Sequence, residues 1–216
     1  KALFIAGQID AEIAEFETAI SLDATLVEAY ITLGNIYSAR NQLDQAIATF
    51  QRGLAAVPSN TDLLIAIGDI LQRQEKTDEA IEKYRQAVAL DRGSADGELA
   101  LGDLYLSLED YTQAVEAYRR GIALEPGNVE LYTGLAATFQ ADGKPDEALA
   151  EAERALAIMP GSGFAVAVKG RVQELGFEEI DAALDLYEQA VTLDPRTTLA
   201  YASTARVHLR EKQDLD

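Results

Sequence analysis

Carboxylates are the most abundant reactive groups in this chain. Of its 216 residues, 37 are Asp or Glu and 18 are Lys or Arg, while one is His and none is Cys. Carboxylates can serve as acids, bases or metal ligands, but none here follows the spacing of a calcium-binding loop. The single histidine, His208, is not paired with a serine in a pattern typical of nucleophilic catalysis, and no cysteine nucleophile is present. We therefore expect no enzymatic activity, no metal site and no cofactor in this segment.

The excess of acidic side chains restricts the partners of the chain. A formal net charge of −19 disfavours binding to nucleic acids and to anionic membrane surfaces, because both carry negative charge. No run of 18 apolar residues is present, so we expect no membrane insertion. The absence of cysteine leaves the compartment undecided, with a soluble cytoplasmic protein as the default. Charge of this sign also serves solubility alone, so it does not identify a binding site by itself.

A period of 34 residues organises these side chains. Small residues inside helical patterns recur at this step, and each is followed first by an alanine and then by an aromatic ring. The small residues are Gly34, Gly68, Gly102, Ala136 and Gly170; the alanines are Ala46, Ala80, Ala114 and Ala148; the rings are Phe50, Tyr84 and Tyr118. Glycine in a helix costs about 0.5–1 kcal/mol relative to alanine. We expect close helix packing to offset this cost, with Gly102 facing Ala114, so that Gly102→Leu overpacks the contact.

Each copy of the repeat predicts two amphipathic helices, such as residues 61–73 and 78–90. Short polar residues precede the first helices, where they can cap free N–H groups: Asn60, Ser94, Asn128, Ser162 and Thr197. Aspartates open the second helices, at the positive end of the helix dipole: Asp10, Asp44, Asp78, Asp146 and Asp181. The recurring glycines lie inside helices, so they form no phosphate-binding loop. The sequence therefore predicts an all-α fold of stacked antiparallel helix pairs.

This combination of positions resembles the tetratricopeptide repeat family, and the resemblance covers the whole chain. The first full copy shows the family pattern as Tyr30, Leu33, Gly34, Tyr37, Ala46, Phe50 and Pro58. The resemblance implies an α-α superhelix, or solenoid, that forms a single domain over residues 1–216. Its full repeats are residues 27–60, 61–94, 95–128, 129–162 and 163–197, with 1–26 as a partial repeat and 198–216 as the first helix of a further repeat or a cap. Because the chain starts and stops inside repeats, we expect it to be a fragment of a longer protein.

The family resemblance also implies a function, in which the first helices line a concave groove that binds a partner protein or peptide. The candidate groove residues are Asn35, Asp62, Asp69, Gln72, Arg73, Asp96, Asp103, Gln140, Arg171, Arg206 and Arg210. We hypothesise that the aspartates attract a basic segment of the partner and that the arginines hold its acidic groups. The alternative is a solvated polar face with no specific role. The carboxylate clamp of some family members is absent, because Asp96 and Ala100 stand where it needs basic residues.

The fifth full repeat departs from the pattern. Lys169 and Gln173 fall where the family buries apolar residues, and an apolar stripe is offset by one position. That stripe is Val168, Val172 and Leu175. We expect the first helix of this repeat to be rotated or shifted, with local repacking where Ala152 replaces a ring. Simple drift of a late repeat explains this, and the alternative is a ligand pocket or hinge at Phe164–Phe177.

Two other functions are consistent with the same pattern. Apolar residues at the two ends favour self-assembly through the ends of the solenoid: Leu3, Phe4, Ile5, Leu199, Tyr201, Val207 and Leu209. The segment is also consistent with a regulatory arm of an enzyme whose catalytic domain lies outside these residues. His208 takes the place of Tyr37 and Tyr105 in earlier repeats, so we expect a structural residue on a packing face.

Overall fold

The computed structural model describes the backbone of residues 2–213 and the side chains of residues 9–209. Within the described backbone the chain forms twelve α-helices and no strand, which confirms the predicted all-α class. The helices are α1 (Ala2–Leu22), α2 (Val27–Ala39), α3 (Leu43–Ala56), α4 (Thr61–Arg73), α5 (Thr77–Leu90), α6 (Asp96–Ser107), α7 (Tyr111–Leu124), α8 (Val129–Ala141), α9 (Pro145–Ile158), α10 (Gly163–Gly176), α11 (Ile180–Leu193) and α12 (Thr198–Gln213).

The chain divides into two compact units, residues 1–101 and residues 102–216, with the boundary inside α6. In the first unit α2 packs on α3 and α4 on α5, and α2 also contacts α4. In the second unit α8 packs on α9 and α10 on α11, while α10 contacts both α8 and α12. Within each unit, alternate helices therefore share one layer, as stacked helix pairs require. The expectation of a single domain over the whole chain stays a prediction.

The predicted caps of the first helices form at three places through side-chain oxygens. Asn60 accepts from the N–H of Leu63, Asn128 accepts from Glu130, and Ser162 accepts from Ala165: these bonds are 2.8, 3.1 and 3.1 Å long. The Ser94 hydroxyl accepts from the N–H of Asp96 at 3.2 Å, at the start of α6. Such bonds satisfy N–H groups that have no partner inside the helix.

The prediction that the Thr197 side chain caps α12 is wrong. Its hydroxyl is buried and finds no hydrogen-bond partner among the described residues, while its backbone carbonyl accepts from Ala200 at 3.2 Å. The hydroxyl lies against Gly163, where a Cβ would stand 2.9 Å from it. The Thr197 hydroxyl therefore lies against the preceding first helix.

Aspartates stand in the first turns of α3, α5, α9 and α11 as predicted, namely Asp44, Asp78, Asp146 and Asp181. Asp10 is different, because α1 runs without a break from Ala2 to Leu22 and Asp10 lies in its interior. The prediction that Asp10 opens a helix is therefore wrong. Asp10 instead accepts a 2.9 Å hydrogen bond from Arg40, which joins α1 to the end of the next first helix.

The turns inside the helix pairs share one backbone feature. Their left-handed residues are Asn41, Glu75, Glu109 and Glu178, with φ of 59° or 60°, and Gly143, with φ of 72°. Left-handed backbone is costly for residues with a Cβ, whereas glycine adopts it freely. The same geometry at the same place in each pair shows that the turn is set by the repeat, and only the fourth full repeat uses glycine for it.

The recurring glycines make room for aromatic rings, while the predicted contact between Gly102 and Ala114 stays a prediction. A Cβ on Gly102 would lie 2.6 Å from Cε1 of Tyr118, far inside van der Waals contact. The same relation joins Gly34 to Phe50, Gly68 to Tyr84 and Gly170 to Tyr187. Each ring belongs to the second helix of the same repeat and is almost fully buried. The cost of the glycine is therefore offset by burial of a ring.

The fourth full repeat solves the same packing problem without a ring. Ala136 stands at the glycine position and Ala152 at the ring position, and both pack against Val168 of α10 in a buried cluster. The predicted repacking beside Ala152 is therefore present. Val172 of the offset stripe is also buried, whereas Leu175 is 44% exposed.

Candidate functional site

In residues 1–101, candidate side chains lie on α2 and α4, which contact each other within one layer. Asn35, Asp62 and Asp69 are exposed, and the two aspartates stand seven residues apart on one side of α4. Arg73 donates to the hydroxyl and to the carbonyl oxygen of Ser38 on α2, the carbonyl bond being 3.3 Å long. Arg73 therefore joins one repeat to the preceding one, and its guanidinium is already engaged.

Asp69 is held by the second helix of its own repeat. The hydroxyl of Tyr84, a ring only 1% exposed, donates to Oδ1 of Asp69 at 2.7 Å. It also lies 3.4 Å from Oε1 of the half-buried Gln72. Burial raises the pKa of the Asp69 carboxyl, and the bond from Tyr84 opposes that rise. Asp69 is therefore held by a hydrogen bond from Tyr84 and is still exposed to solvent.

Asp103, in the second unit, repeats this arrangement. The hydroxyl of the fully buried Tyr118 donates to its Oδ1 at 2.6 Å. Burial raises the pKa of Tyr118 far above its ordinary value, and the charge and hydrogen bond of Asp103 add to the rise. Asp96, at the start of α6, is exposed and accepts a 2.7 Å bond from the Ser94 hydroxyl. Each predicted aspartate except Asp62 therefore accepts a hydrogen bond from the hydroxyl of a neighbouring side chain.

A denser cluster of charged groups joins α10, α11 and α12. Arg206 binds Glu174 through two bonds, Nε to Oε1 at 3.0 Å and Nη2 to Oε2 at 2.7 Å. The Tyr187 hydroxyl donates to the same Oε2 at 2.7 Å. Burial pushes the pKa of Glu174 up, but the hydrogen bonds from Arg206 and Tyr187 and the nearby positive charges outweigh it and leave the pKa lowered. Arg206 is therefore engaged by a carboxylate of its own chain.

Arg171 lies beside this cluster but is not part of its hydrogen bonds. Its side chain is half-buried, and none of the described residues accepts a hydrogen bond from it. Burial lowers its pKa, the positive charge of Arg206 lowers it further, and Tyr187 and Glu174 act in the opposite direction. Gln140 on α8 is half-buried. The side chain of Arg210 lies outside the described residues.

Two sequence models of known families match the chain: "Tetratricopeptide repeat" over residues 31–95 and "TPR repeat" over residues 102–143. These matches extend from α2 to α8 and include the contacts of Gly34, Gly68 and Gly102 with their rings. Residues 31–95 and 102–143 are therefore tetratricopeptide repeats (TPR). No curated protein sequence matches it.

Several solved protein structures show the same fold. MamA shares 25% identity over 80% of this chain and 93% of its own, with a TM-score of 0.57. TTC0263, a thermophilic TPR protein of Thermus thermophilus, shares 20% identity over 85% of this chain and 99% of its own, with a TM-score of 0.72. YrrB, described as a TPR protein with an unusual peptide-binding site, shares 23% identity over 88% of this chain and 97% of its own, with a TM-score of 0.54. The similarity to TTC0263 and YrrB concerns the fold alone.

The described residues offer neither a membrane span nor a metal cluster. Within residues 2–213, no helix combines the length and apolar character that crossing a membrane requires. No three His, Cys, Asp or Glu side chains of the described residues lie together where they could hold a metal ion. The expected lack of a cofactor stays a prediction. His208 is exposed, so its predicted place on a packing face is wrong, and its neighbour Val207 is buried instead.

Sequence reasoning missed the partners of the candidate residues, which are Tyr84, Tyr118, Tyr187 and Glu174. A signal for the first two was present in the TPR period. An aspartate precedes the tyrosine by fifteen residues in the copies with Asp69 and Asp103, whereas Asn35 precedes Phe50, which has no hydroxyl. The acid therefore accompanies a ring that can donate a hydrogen bond.

Proposed function

We propose that this TPR chain is a protein-interaction scaffold that binds peptide segments of a partner on the first helices within each of its two units. Both family matches are to TPR repeats, which are protein-interaction modules. YrrB, a protein of the same fold, has a peptide-binding site. The partner and the use of the groove are proposals for this chain.

The observation that carries the proposal is that polar side chains of the first helices are fixed by the second helices. Tyr84 holds Asp69, Tyr118 holds Asp103, and Tyr187 with Arg206 holds Glu174. A side chain already held in one rotamer loses less entropy when a ligand binds. These anchored acids therefore favour a preorganised polar layer over a loosely solvated face.

The charge of this layer defines the partner that we propose for the first unit. Asp62 and Asp69 stand on one side of α4, and α4 contacts α2, which carries the exposed Asn35. A lysine or arginine of a partner peptide can bind their exposed oxygens through charge-assisted hydrogen bonds. We therefore propose that a basic peptide segment binds to α2 and α4.

Asp62 is the residue with which to test this electrostatic account. A reversal of Asp69 to lysine would remove the acceptor of Tyr84, so lost binding could follow from lost structure. Asp62→Lys reverses an exposed charge of the same helix, and Glu79→Lys makes the matched change on the second helix α5. We expect Asp62→Lys to weaken binding of a short acetylated Ala–Lys peptide about three- to ten-fold at low salt. Fluorescence anisotropy at several salt concentrations measures this.

The matched variant Glu79→Lys separates a contact on α4 from a general effect of net charge. It should bind the peptide nearly as well as the unchanged chain, because its side chain lies on the other layer. Equal loss in both variants would indicate a non-specific charge effect and contradict the assignment to α2 and α4. The scaffold proposal itself is tested by capture of partners from the native source. It is wrong if the chain retains no protein at either low or physiological salt.

Self-assembly is a second candidate function, and the exposed side chains of α12 favour it. Tyr201 is 52% exposed and Leu209 is 61% exposed, although both are large and partly apolar. Exposed apolar surface of this kind favours association. We expect the mass from light scattering to rise with concentration, and Leu209→Lys to suppress the rise. A mass that stays monomeric at all concentrations contradicts this candidate. The predicted end residues Leu3, Phe4 and Ile5 lie outside the described side chains.

A further inference from the structure

The helices α10 and α12 contact each other in the layer of first helices of the second unit. On α10, Phe164, Arg171 and Leu175 lie on one side of the helix, because they are separated by seven and four residues. On α12, Arg206 and Leu209 are separated by three residues and share a side in the same way. Phe164 is 49% exposed, Leu175 is 44% exposed and Leu209 is 61% exposed. Exposed apolar side chains therefore accompany both arginines.

The two arginines differ in how their charge is balanced. Arg206 is paired with Glu174, and both oxygens of that carboxylate already accept hydrogen bonds from Arg206 or Tyr187. Arg171 has no such acceptor among the described residues, although it is half-buried. Guanidinium groups stay protonated in proteins, so Arg171 keeps its charge. The three ionised groups Arg171, Arg206 and Glu174 thus leave a local charge of +1 in a chain whose formal net charge is −19.

Partial burial removes part of the hydration of the Arg171 guanidinium, and none of the described residues replaces it with a hydrogen bond. Burial and the charge of Arg206 both lower the pKa of Arg171, which shows that its surroundings disfavour the charged form. A carboxylate beside Arg171 would supply the missing acceptor, because the planar guanidinium offers two parallel N–H donors to such a group. A single negative charge also matches the local charge of +1.

We propose that Arg171 anchors a subsite for one acidic side chain of a partner peptide, with apolar neighbours of that side chain packing on Phe164, Leu175 and Leu209. This inference rests on the proposed function and names the chemistry recognised by the second unit. Arg206 contributes its positive charge to the subsite but donates no hydrogen bond to the ligand, because its donors are already bound to Glu174. The preferred peptide carries Asp or Glu between apolar residues.

The test uses the whole chain labelled with ¹⁵N-arginine and two short peptides, blocked at both ends. One peptide carries a Glu flanked by Leu on both sides, and the other carries Gln in place of Glu. NMR follows the side-chain Nε–H signal of Arg171, assigned with the Arg171→Gln variant. We expect the Glu peptide to shift this signal saturably and the Gln peptide to bind about ten-fold or more weakly, because a hydrogen bond between two charged groups is lost.

Variants distinguish binding from structural support. Arg171→Gln should abolish the preference for Glu over Gln while leaving the thermal midpoint unchanged or raised, because it removes a half-buried charge without an acceptor. Arg196→Gln removes the same charge from a side chain that is 93% exposed, and it should keep the preference. A lowered midpoint for Arg171→Gln together with an unchanged preference would show that Arg171 supports the fold only.

Four further outcomes overturn the proposal. Equal binding of the Glu and Gln peptides excludes a carboxylate subsite. Tighter binding of inorganic phosphate than of the Glu peptide excludes an acidic side chain as the ligand. A peptide without Glu but with a free C-terminus that binds as well as the Glu peptide also excludes it, in favour of a terminal carboxylate. If partners are captured from the native source equally well by the chain and by Arg171→Gln, the subsite fails while the scaffold proposal stands.

Discussion

Replacing Gly102 with alanine tests the idea that the recurring glycine exists to admit a ring. The new Cβ would stand 2.6 Å from Cε1 of Tyr118 and 2.8 Å from its Cδ1 and Cζ. The ring cannot move away freely, because a Cβ at Gly134, on its other neighbour α8, would come within 2.6 Å of Cζ. Its hydroxyl is also bound to Asp103 at 2.6 Å.

The expected loss of stability follows from two opposing effects. Alanine in place of glycine in a helix stabilises by about 0.5–1 kcal/mol. Overpacking of a filled core costs about 1–3 kcal/mol, and displacement of the Tyr118 hydroxyl from Asp103 costs about 1 kcal/mol more. We therefore expect Gly102→Ala to lower the free energy of unfolding by about 1–3 kcal/mol. The net effect is destabilising because the clash with Tyr118 outweighs the gain in helix propensity.

The effect of Gly102→Ala on stability should change from destabilising to stabilising when the ring of Tyr118 is absent. Tyr118→Ala alone costs about 3–5 kcal/mol, as for other large aromatic truncations. In that background Gly102→Ala should stabilise by about 0.5–1 kcal/mol, because only its helix propensity remains. The chain already contains such a pair in Ala136 and Ala152, where Val168 fills the space. The coupling between the two changes is therefore about 1.5–4 kcal/mol.

Urea unfolding followed by far-UV circular dichroism measures these differences, with hydrogen exchange of α6 and α7 amides as a local measure. The local measure is needed because repeat arrays do not always unfold in one step. Gly161→Ala is the control, since nothing lies within 4 Å of its Cβ and its backbone is ordinary; it should change stability by less than about 0.5 kcal/mol. If Gly102→Ala stabilises the chain equally with and without Tyr118, the ring is not the reason for the glycine.

Three further predictions concern single hydrogen bonds and turns. Arg206→Gln should lower the free energy of unfolding by about 2–3 kcal/mol at pH 7, which is less than for a fully buried pair because Arg206 is half-exposed. This loss should shrink below about pH 4, because the ion pair stabilises the fold through the lowered pKa of Glu174 and that contribution disappears as carboxyl groups become protonated. Urea titrations across this pH range measure the effect. Asp69→Asn keeps an acceptor for Tyr84 and removes a carboxyl whose raised pKa shows that its charge is unfavourable, so the free energy of unfolding at pH 7 should stay equal or rise. Asp69→Ala removes the acceptor and should lower the free energy of unfolding by about 1 kcal/mol. A loss for Asn as large as for Ala contradicts the role of Asp69 as an acceptor. Gly143→Ala should cost about 1–2 kcal/mol from its φ of 72° although no atom lies within 4 Å, and a thermal midpoint equal to that of wild type would refute it.

The helix pairs could be predicted because their determinants are local. Helical periodicity, polar caps such as Asn60 and turns such as Asp142–Lys144 act within a few residues of sequence, and they recur at every period. Repetition adds independent copies of the same signal, so an ambiguous segment in one copy is resolved by the others. The exceptions are Asp10, which lies inside the continuous helix α1, and Thr197, whose hydroxyl forms no cap.

The partners of the candidate residues were not predictable in the same way, because they connect different helices. In the second full repeat the tyrosine hydroxyl binds Asp69 and lies near Gln72, one turn further along α4. In the fifth full repeat Arg171 takes the place of Asp69, and the acid appears one turn later as Glu174. Tyr187 then binds Glu174. An acceptor can thus change position along a helix while the hydrogen bond is kept.

The sequence by itself determined the repeat, the helix pairs and the polar character of the first helices, because each depends on spacing along one helix. It also identified which side chains belong to the candidate set. Only the tertiary structure decided what each of them does. Gly102 makes room for a ring, Asp69 and Asp103 accept tyrosine hydroxyls, and Arg206 is paired with Glu174, whereas Arg171 lacks an acceptor among the described residues. The physical reason is that hydrogen bonds and van der Waals contacts act over a few ångströms between helices, and one period of sequence separates many of the groups that meet there.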